Sequence, residues 1–290
     1  MSAGKPSWSV RRLPSGVAEV RCPWINRKGW EQWFLLSSDR HWDNPKSDRS
    51  LQEDHLNEAV RRGAGVIDCG DFFCAMQGTG DPRGHKSAIR PEHNTDKYLD
   101  SLVETASEWI RPWDQHFVMI GKGNHETKVT SRKETDLTER LCYDMNVRSS
   151  PVVAGEYNSW VRIRFQDSHG SKIRTFNIKV YHGSGGGGAS TRGAQQINVR
   201  ATWWPNADIV VSGHTHHSWH IPIVREILRP SGEVKEEVQH HVSCPTYKRE
   251  WGGAGFSVER GFGPRPIGAY WVRFFRKADD QISSEIVLAS

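Results

Sequence analysis

The chain has 290 residues, with 39 Lys+Arg against 34 Asp+Glu and a formal charge of +5. That length is ample for a buried core, and the even spread of aromatic residues excludes a disordered polymer. No apolar run approaches the ~20 residues of a membrane-spanning helix. The N-terminus Met1-Ser2-Ala3-Gly4-Lys5 has no apolar signal core, so a cytoplasmic protein that does not enter a membrane is expected. The five cysteines contain no CxxC pair, which argues against both a disulfide framework and a Cys-rich zinc site.

In chain order, short apolar runs repeatedly lead into polar clusters. Trp33–Leu36 leads into Ser37-Ser38-Asp39, and Gly65–Ile67 into Asp68-Cys69-Gly70-Asp71. Phe117–Ile120 leads into Gly121-Lys122-Gly123-Asn124-His125, Phe176–Tyr181 into His182-Gly183, and Ile209–Val211 into Ser212-Gly213-His214. Their length and flanking glycines predict buried strands. Helical spacing lies between them. Leu51–Arg62 follows the possible caps Asp48 and Ser50. Tyr98–Ile110 follows Thr95 as N-cap and stops before Pro112. Ser131 with Glu134 resembles a capping box ahead of Leu137, Leu141 and Met145, and a weaker helix covers Ala194–Trp204. Beyond Trp219 the runs are strand-like: 221–227, 238–242, 269–275 and 282–288. Strands alternating with helices predict an α/β layered fold. One domain over 1–290 is expected, with its core at about 30–220, a C-terminal part at 221–290 completing a second sheet, and 78–93 as a cap insertion or a solvated loop.

In α/β sheets functional groups collect just past the strand carboxyl ends. Here those ends carry Asp39 and His41, Asp71, Asn124 with His125, His182, and His214 with His216. Carboxylates and imidazoles without a thiolate suit Mn, Fe or Zn. Seven candidate ligands exceed the needs of one ion; two ions ~3.5–4 Å apart, bridged by a carboxylate and a water, would use them all. The neutral amide of Asn124 adds a donor without adding charge. Gly70, Gly123 and Gly213 precede ligands, where the backbone must turn sharply or approach an ion closely.

The blocks Asp39-Arg40-His41, Gly70-Asp71, Gly123-Asn124-His125-Glu126, His182 and Gly213-His214-Thr215-His216 resemble the signature of the calcineurin-like metallophosphoesterase family. The resemblance spans about residues 33–217. It implies a four-layer α/β/β/α sandwich of two mixed sheets, with a metal site at the strand C-terminal edge. It implies two divalent metal ions, manganese first, with iron, zinc or nickel as alternatives. Asp39, His41 and His216 would hold one ion and Asn124, His182 and His214 the other. Asp71 would bridge them beside a bridging hydroxide. His125 would not ligate but would act on the phosphate or leaving group, so the catalytic pair is His125 and Asp71. The expected activity is metal-dependent phosphate ester hydrolysis, first of nucleic acid (a phosphodiesterase or nuclease acting on DNA or RNA). The alternatives are a phosphomonoesterase or nucleotide phosphatase on the same site and, last, a non-catalytic interaction module. Phe72-Phe73-Cys74 stands where the protein Ser/Thr phosphatase branch has Asp-Arg-Gly, which argues against that branch.

Other residues remain open. Asn124, Lys122 and Arg83 are the expected substrate contacts, with solvated loop residues as the competing reading of Lys122 and of the 78–93 stretch that holds Arg83. Cys69 and Cys74 read as packing. His217 or His220 could support a ligand or simply sit in a strand. Gly183–Arg192 reads as a site-edge loop or a flexible linker. Tyr247–Tyr270, basic and aromatic, reads first as a β-hairpin and second as a groove for single-stranded nucleic acid.

Overall fold

The computed structural model describes residues 5–76, 88–186, 188, 190–252, 261, 263–279 and 281–289. Thirteen strands form two mixed sheets among these residues. One sheet takes β3 (Glu31–Ser37), β4 (Gly65–Asp68), β5 (Phe117–Ile120), β6 (Val153–Ala154), β12 (Ala269–Arg276) and β13 (Ile282–Ala289), in the order β13-β12-β3-β4-β5-β6. The other takes β1 (Ser9–Arg12), β2 (Ala18–Pro23), β7 (Asn158–Gln166), β8 (Lys172–Tyr181), β9 (Ile209–Ser212), β10 (Trp219–Leu228) and β11 (Val234–Ser243), in the order β1-β2-β7-β8-β9-β11-β10.

Side-chain alternation puts the sheets face to face. Phe34 and Leu36 of β3 enter a core shared with Val161, Ile163 and Phe165 of β7, whereas Leu35 enters a second core beneath the helices. Phe274 joins the sheets: its ring centroid lies 6.0 Å from Phe34, 5.3 Å from Phe165 and 4.6 Å from Phe176. The helices α1 (Arg49–Arg61), α2 (Tyr98–Ile110) and α4 (Leu137–Val147) bury Leu56, Leu102 and Leu141 against the outer face of the six-stranded sheet. α3 (Asn124–Lys133) adds Val129 to that core. The fourth layer is thin. It consists of α5 (Ile197–Trp203), whose Arg200 reaches Ser212 Oγ at 3.0 Å on β9. This is the α/β/β/α arrangement that the family resemblance implies.

Several local expectations change. The C-terminal runs do not complete one sheet: β10 and β11 extend the seven-stranded sheet, while β12 and β13 extend the six-stranded one. The chain passes from one sheet to the other between β11 and β12; residues 253–260 and 262 of the expected hairpin at Tyr247–Tyr270 lie outside the described residues. Thr95 does not cap α2. Lys97 occupies the N-cap with no side-chain bond, because a short 3₁₀ turn at Pro91–His93 redirects the chain. Asp48 does cap α1, accepting the N–H of Leu51 at 3.0 Å. Ser131 and Glu134 form no capping box. Ser131 sits inside α3, Glu134 ends that helix at φ 55°, and Asp136 caps α4 instead. α5 is shorter than expected, with a 3₁₀ turn at Ala194–Gln196 ahead of it. β1, β2, β6 and β7 are not assigned from sequence, although β7 carries a clear period of two in Ser159, Val161, Ile163 and Phe165. No described helix is long and apolar enough to cross a membrane.

Candidate metal centre

β3, β4 and β5 run parallel and adjacent, as do β8 and β9 in the other sheet. Their carboxyl ends meet at one edge of the sandwich. The loops beyond them are tied together by backbone bonds. Asp39 N–H donates to Gly70 O at 2.9 Å, His41 N–H to Asp71 O at 3.0 Å, and Gly213 N–H to His182 O at 2.8 Å. Asp39, His41, Asp71, His214 and His216 all take left-handed backbone angles, with φ between 43° and 68°. Five non-glycine residues held in that region within one cluster mark stored strain, which concentrates at functional sites. Gly213 permits the approach: a Cβ there would collide with Ser38 Oγ and Asp39 Oδ2. Gly70, at φ 108°, would place a Cβ 2.5 Å from Gly123 N.

Two groups of side chains converge. Asp39, His41 and His216 form one, with His216 Nε2 at 3.2 Å from Asp39 Oδ1 and at 3.3 Å from His41 Nε2. Asp71, His182 and His214 form the other, with His182 Nε2 at 3.2 Å from Asp71 Oδ2. Asn124, the first residue of α3, joins the second group; its Oδ1 is 2.6 Å from His214 Nδ1 and 3.3 Å from His182 Nε2. All seven expected ligands are thus brought to one place.

Outer partners hold three of the rings, His182, His216 and His125. His182 Nδ1 donates to Cys69 O at 3.1 Å, leaving Nε2 as its inward atom. His216 Nδ1 lies 3.5 Å from Glu250 Oε2, and Glu250 is held by Lys248 Nζ at 2.6 Å. Glu250 is absent from the sequence expectations, because nothing in its spacing links it to residue 216. His125 Nδ1 donates to Cys74 O at 2.6 Å, and His125 Nε2 is 3.9 Å from Asp71 Oδ2. Buried Glu126 accepts the N–H groups of Asp71, Phe73 and Gly123 at 3.2, 2.8 and 2.8 Å. It stitches the second and third motifs together. Arg40, between two ligands, is fully buried. Its Nε meets Asp68 Oδ2 at 2.6 Å, and its guanidinium stands 5.1 Å from the Tyr247 ring centroid.

The donor set fits divalent cations. Among the described residues His41 Nδ1 is buried with no hydrogen-bond partner, and Asp39 Oδ1 faces the His216 imidazole at 3.2 Å. Burial raises the Asp39 carboxyl, yet protonated His216 and His182 outweigh it and hold the group at about 2. Burial lowers His182, and the Asp71 carboxylate overrides this, raising the ring to about 10. Likewise His216 rises to about 9 against its burial, through Asp39 and Glu250. Two buried carboxylates thus lean on neighbouring imidazoles for charge balance, besides one backbone N–H each from His214 and His125. Cations would replace the imidazole protons, as metal binding generally does.

The remaining expectations divide. Lys122 is neither solvated nor turned to substrate: it is 8% exposed, with Nζ at 2.6 Å from Asp136 Oδ2 and 2.9 Å from Glu156 Oε2. Its ammonium is held by two carboxylates, which removes the reason to assign it to a phosphate. Arg83 lies outside the described residues, as do 77–87 of the expected cap. The rest of that insertion packs. Arg90 donates to Asn44 O and Ser47 O at 3.1 Å each, and His93 is buried. His217 contacts Arg265 and its own backbone O accepts from Ser243, while His220 pairs with His240 at 2.9 Å. None of these contacts is with an expected ligand. Gly187 and Ala189 of the glycine loop lie outside the described residues. A cleft of about 520 Å³ opens beside His125, and sequence spacing gives no sign of it. Among the described residues its lining carries Lys97, Lys128, Arg132, Lys133 and Arg140 against Asp96 and Asp100, with Arg140 paired to Asp100 at 2.6 Å.

No family model and no curated protein matches the chain. Among solved structures it is similar to a metallophosphoesterase from Sphaerobacter thermophilus, at 12% identity over 89% of this chain and 89% of that one, with a TM-score of 0.37. It is similar to zinc-complexed Vps29 from Entamoeba histolytica, at 11% identity over 89% of this chain and 99% of that one, TM-score 0.37. It is also similar to GAP50, the anchor in the inner membrane complex of Plasmodium, at 10% identity over 89% and 84% of the two chains, TM-score 0.41.

Proposed function

We propose that the protein is a metal-dependent phosphoesterase with a dinuclear centre, and that its first substrates are nucleic acid phosphodiesters. The observation that carries this reading is the convergence of Asp39, His41, Asp71, Asn124, His182, His214 and His216 at one sheet edge. Asp39, His41 and His216 would hold one cation and Asn124, His182 and His214 the other, with Asp71 shared. Divalent cations held there, manganese first, would supply an activated water at neutral pH and would offset the charge of the phosphate.

The chain's own groups do the rest. Asn124 adds a neutral donor, so the loaded centre keeps a positive charge toward an anionic ester. His125 is held by its Nδ1–H bond to Cys74 O, which leaves Nε2 facing the site; the doubly protonated ring would give its Nε2 proton to the leaving oxygen and become the neutral Nδ1–H imidazole. The cleft beside His125 would take the leaving-group side of the ester. Its size and its Lys and Arg side chains favour a polyanionic leaving group over a small alcohol, and this supports nucleic acid ahead of the monoester alternative.

The test is hydrolysis of labelled single- and double-stranded DNA and RNA with Mn²⁺, alongside a simple phosphomonoester. Cleavage of nucleic acid supports the proposal. Turnover of the monoester with intact nucleic acid transfers the activity to the phosphatase alternative.

A further inference from the structure

A third convergent group contains a sulfur. Cys74 Sγ, one ring nitrogen of His41 and one of His125 lie within 4.8 Å of one another, and all three residues are buried. Packing alone does not account for how this thiol is held. Asp43 accepts the N–H groups of both Cys74 and Ala75, and Ala75 takes the left-handed angle φ 48°. Burial pushes the Cys74 thiol up to about 12, and the Asn44 Nδ2–H donated to Cys74 Sγ at 3.3 Å offsets this only in part, so a bound cation would have to displace the thiol proton. Among the described residues His41 Nδ1 has no hydrogen-bond partner although it is buried. The Cys74 carbonyl also accepts the Nδ1–H of His125 at 2.6 Å, which ties the two residues together.

This donor set differs in kind from the neighbouring ones, because it has a thiol and no carboxylate. Sulfur with imidazole selects zinc and softer ions rather than manganese or magnesium. Tetrahedral zinc with these donors needs ligand separations of about 3.4–3.6 Å, so closure requires movement of roughly 1 Å.

We propose that His41, Cys74 and His125 form an inhibitory site for a thiophilic divalent cation, zinc or cadmium, beside the dinuclear centre. On binding, the Cys74 S–H bond breaks, its proton passes to solvent and a sulfur–metal bond forms, with no change of oxidation state. The ion occupies His125 and competes for His41. Only the inhibitory consequence rests on the function proposed above; the site itself does not.

The experiment uses the full chain, stripped with chelator and titrated with Co²⁺ as an optical probe. The expected result is a near-ultraviolet thiolate-to-cobalt charge-transfer band that is lost in Cys74→Ser and Cys74→Ala and kept in Cys244→Ser, a control for another buried thiol. In Mn²⁺-loaded protein, zinc should inhibit turnover, and Cys74→Ser should move the inhibition midpoint at least about tenfold upward. A wild-type protein with no such band, or a band that survives both Cys74 substitutions, overturns the proposal. A Cys74-dependent band in a protein without Mn²⁺-dependent turnover would leave this site standing and remove the proposed activity instead.

Discussion

Asp39 and His214, 175 residues apart in sequence, share one hydrogen bond: Asp39 Oδ2 accepts the backbone N–H of His214 at 2.8 Å. The other oxygen of the same carboxylate lies 3.2 Å from His216 Nε2. One side chain from the first motif therefore sets the backbone of the last motif and stands among its ligands. The two sheets meet functionally at this bond.

Replacing a ligand should empty the centre. His214→Ala removes the ring 2.6 Å from Asn124 Oδ1, and Asp71→Asn removes a carboxylate 3.2 Å from His182. Both variants are expected to lose bound metal in elemental analysis and to lose turnover with it. Full metal content in either variant would remove that residue from the ligand set.

His125 should behave differently. His125→Ala keeps the backbone N–H that donates to Asp71 Oδ1 at 2.9 Å, so the ligand loop stays in place. Turnover should fall by about 10²–10⁴-fold while metal content stays near that of the wild type, as loss of a general acid predicts. Loss of metal together with activity would mean that His125 is a ligand.

The buried pair Arg40–Asp68 should matter for stability rather than chemistry. Both side chains are fully buried, with Arg40 Nε at 2.6 Å from Asp68 Oδ2. Asp68→Asn leaves the guanidinium charged and uncompensated in the core, at a cost of about 3–5 kcal/mol in urea unfolding. A change within experimental error would mean that Ser37, Gln52 and the flanking rings suffice for Arg40.

Acid should unfold the protein through buried neutral histidines. Burial and the nearby Arg40 charge lower His55 from 6.5 to about 4, and burial with Arg200 and Arg225 lowers His241 to about 4. Between pH 6.5 and 4 the unfolded state binds these protons and the native state does not, so stability falls as pH falls through that window. Each group contributes on the order of 3 kcal/mol over it. Urea midpoints measured from pH 7 to 4 in chelator should drop, and His55→Gln should flatten the slope. An unchanged slope in that variant would show that His55 titrates normally.

The candidate metal cluster is the most legible part of the chain, because each candidate ligand sits within a few residues of a strand end and parallel strands bring those ends together. Glu250 was not legible. It reaches His216 only through the crossing between the sheets, which local spacing does not encode. Lys122 misled for the same reason: its partners Asp136 and Glu156 come from later segments. The assignment of β10–β13 to two sheets depends on nonlocal pairing, β11 with β9 and β12 with β3, that hydrophobic pattern leaves open. By contrast β7 was readable from its alternation alone.

Two cations held by this cluster are proposed to drive ester hydrolysis. The most direct measurement is turnover of bis(p-nitrophenyl) phosphate by chelator-stripped protein reloaded with Mn²⁺, with bound metal counted at each point. The account predicts no turnover in the stripped protein and a maximum when two ions are bound per chain. Turnover that survives stripping, or that reaches its maximum with fewer than one ion per chain, would contradict it.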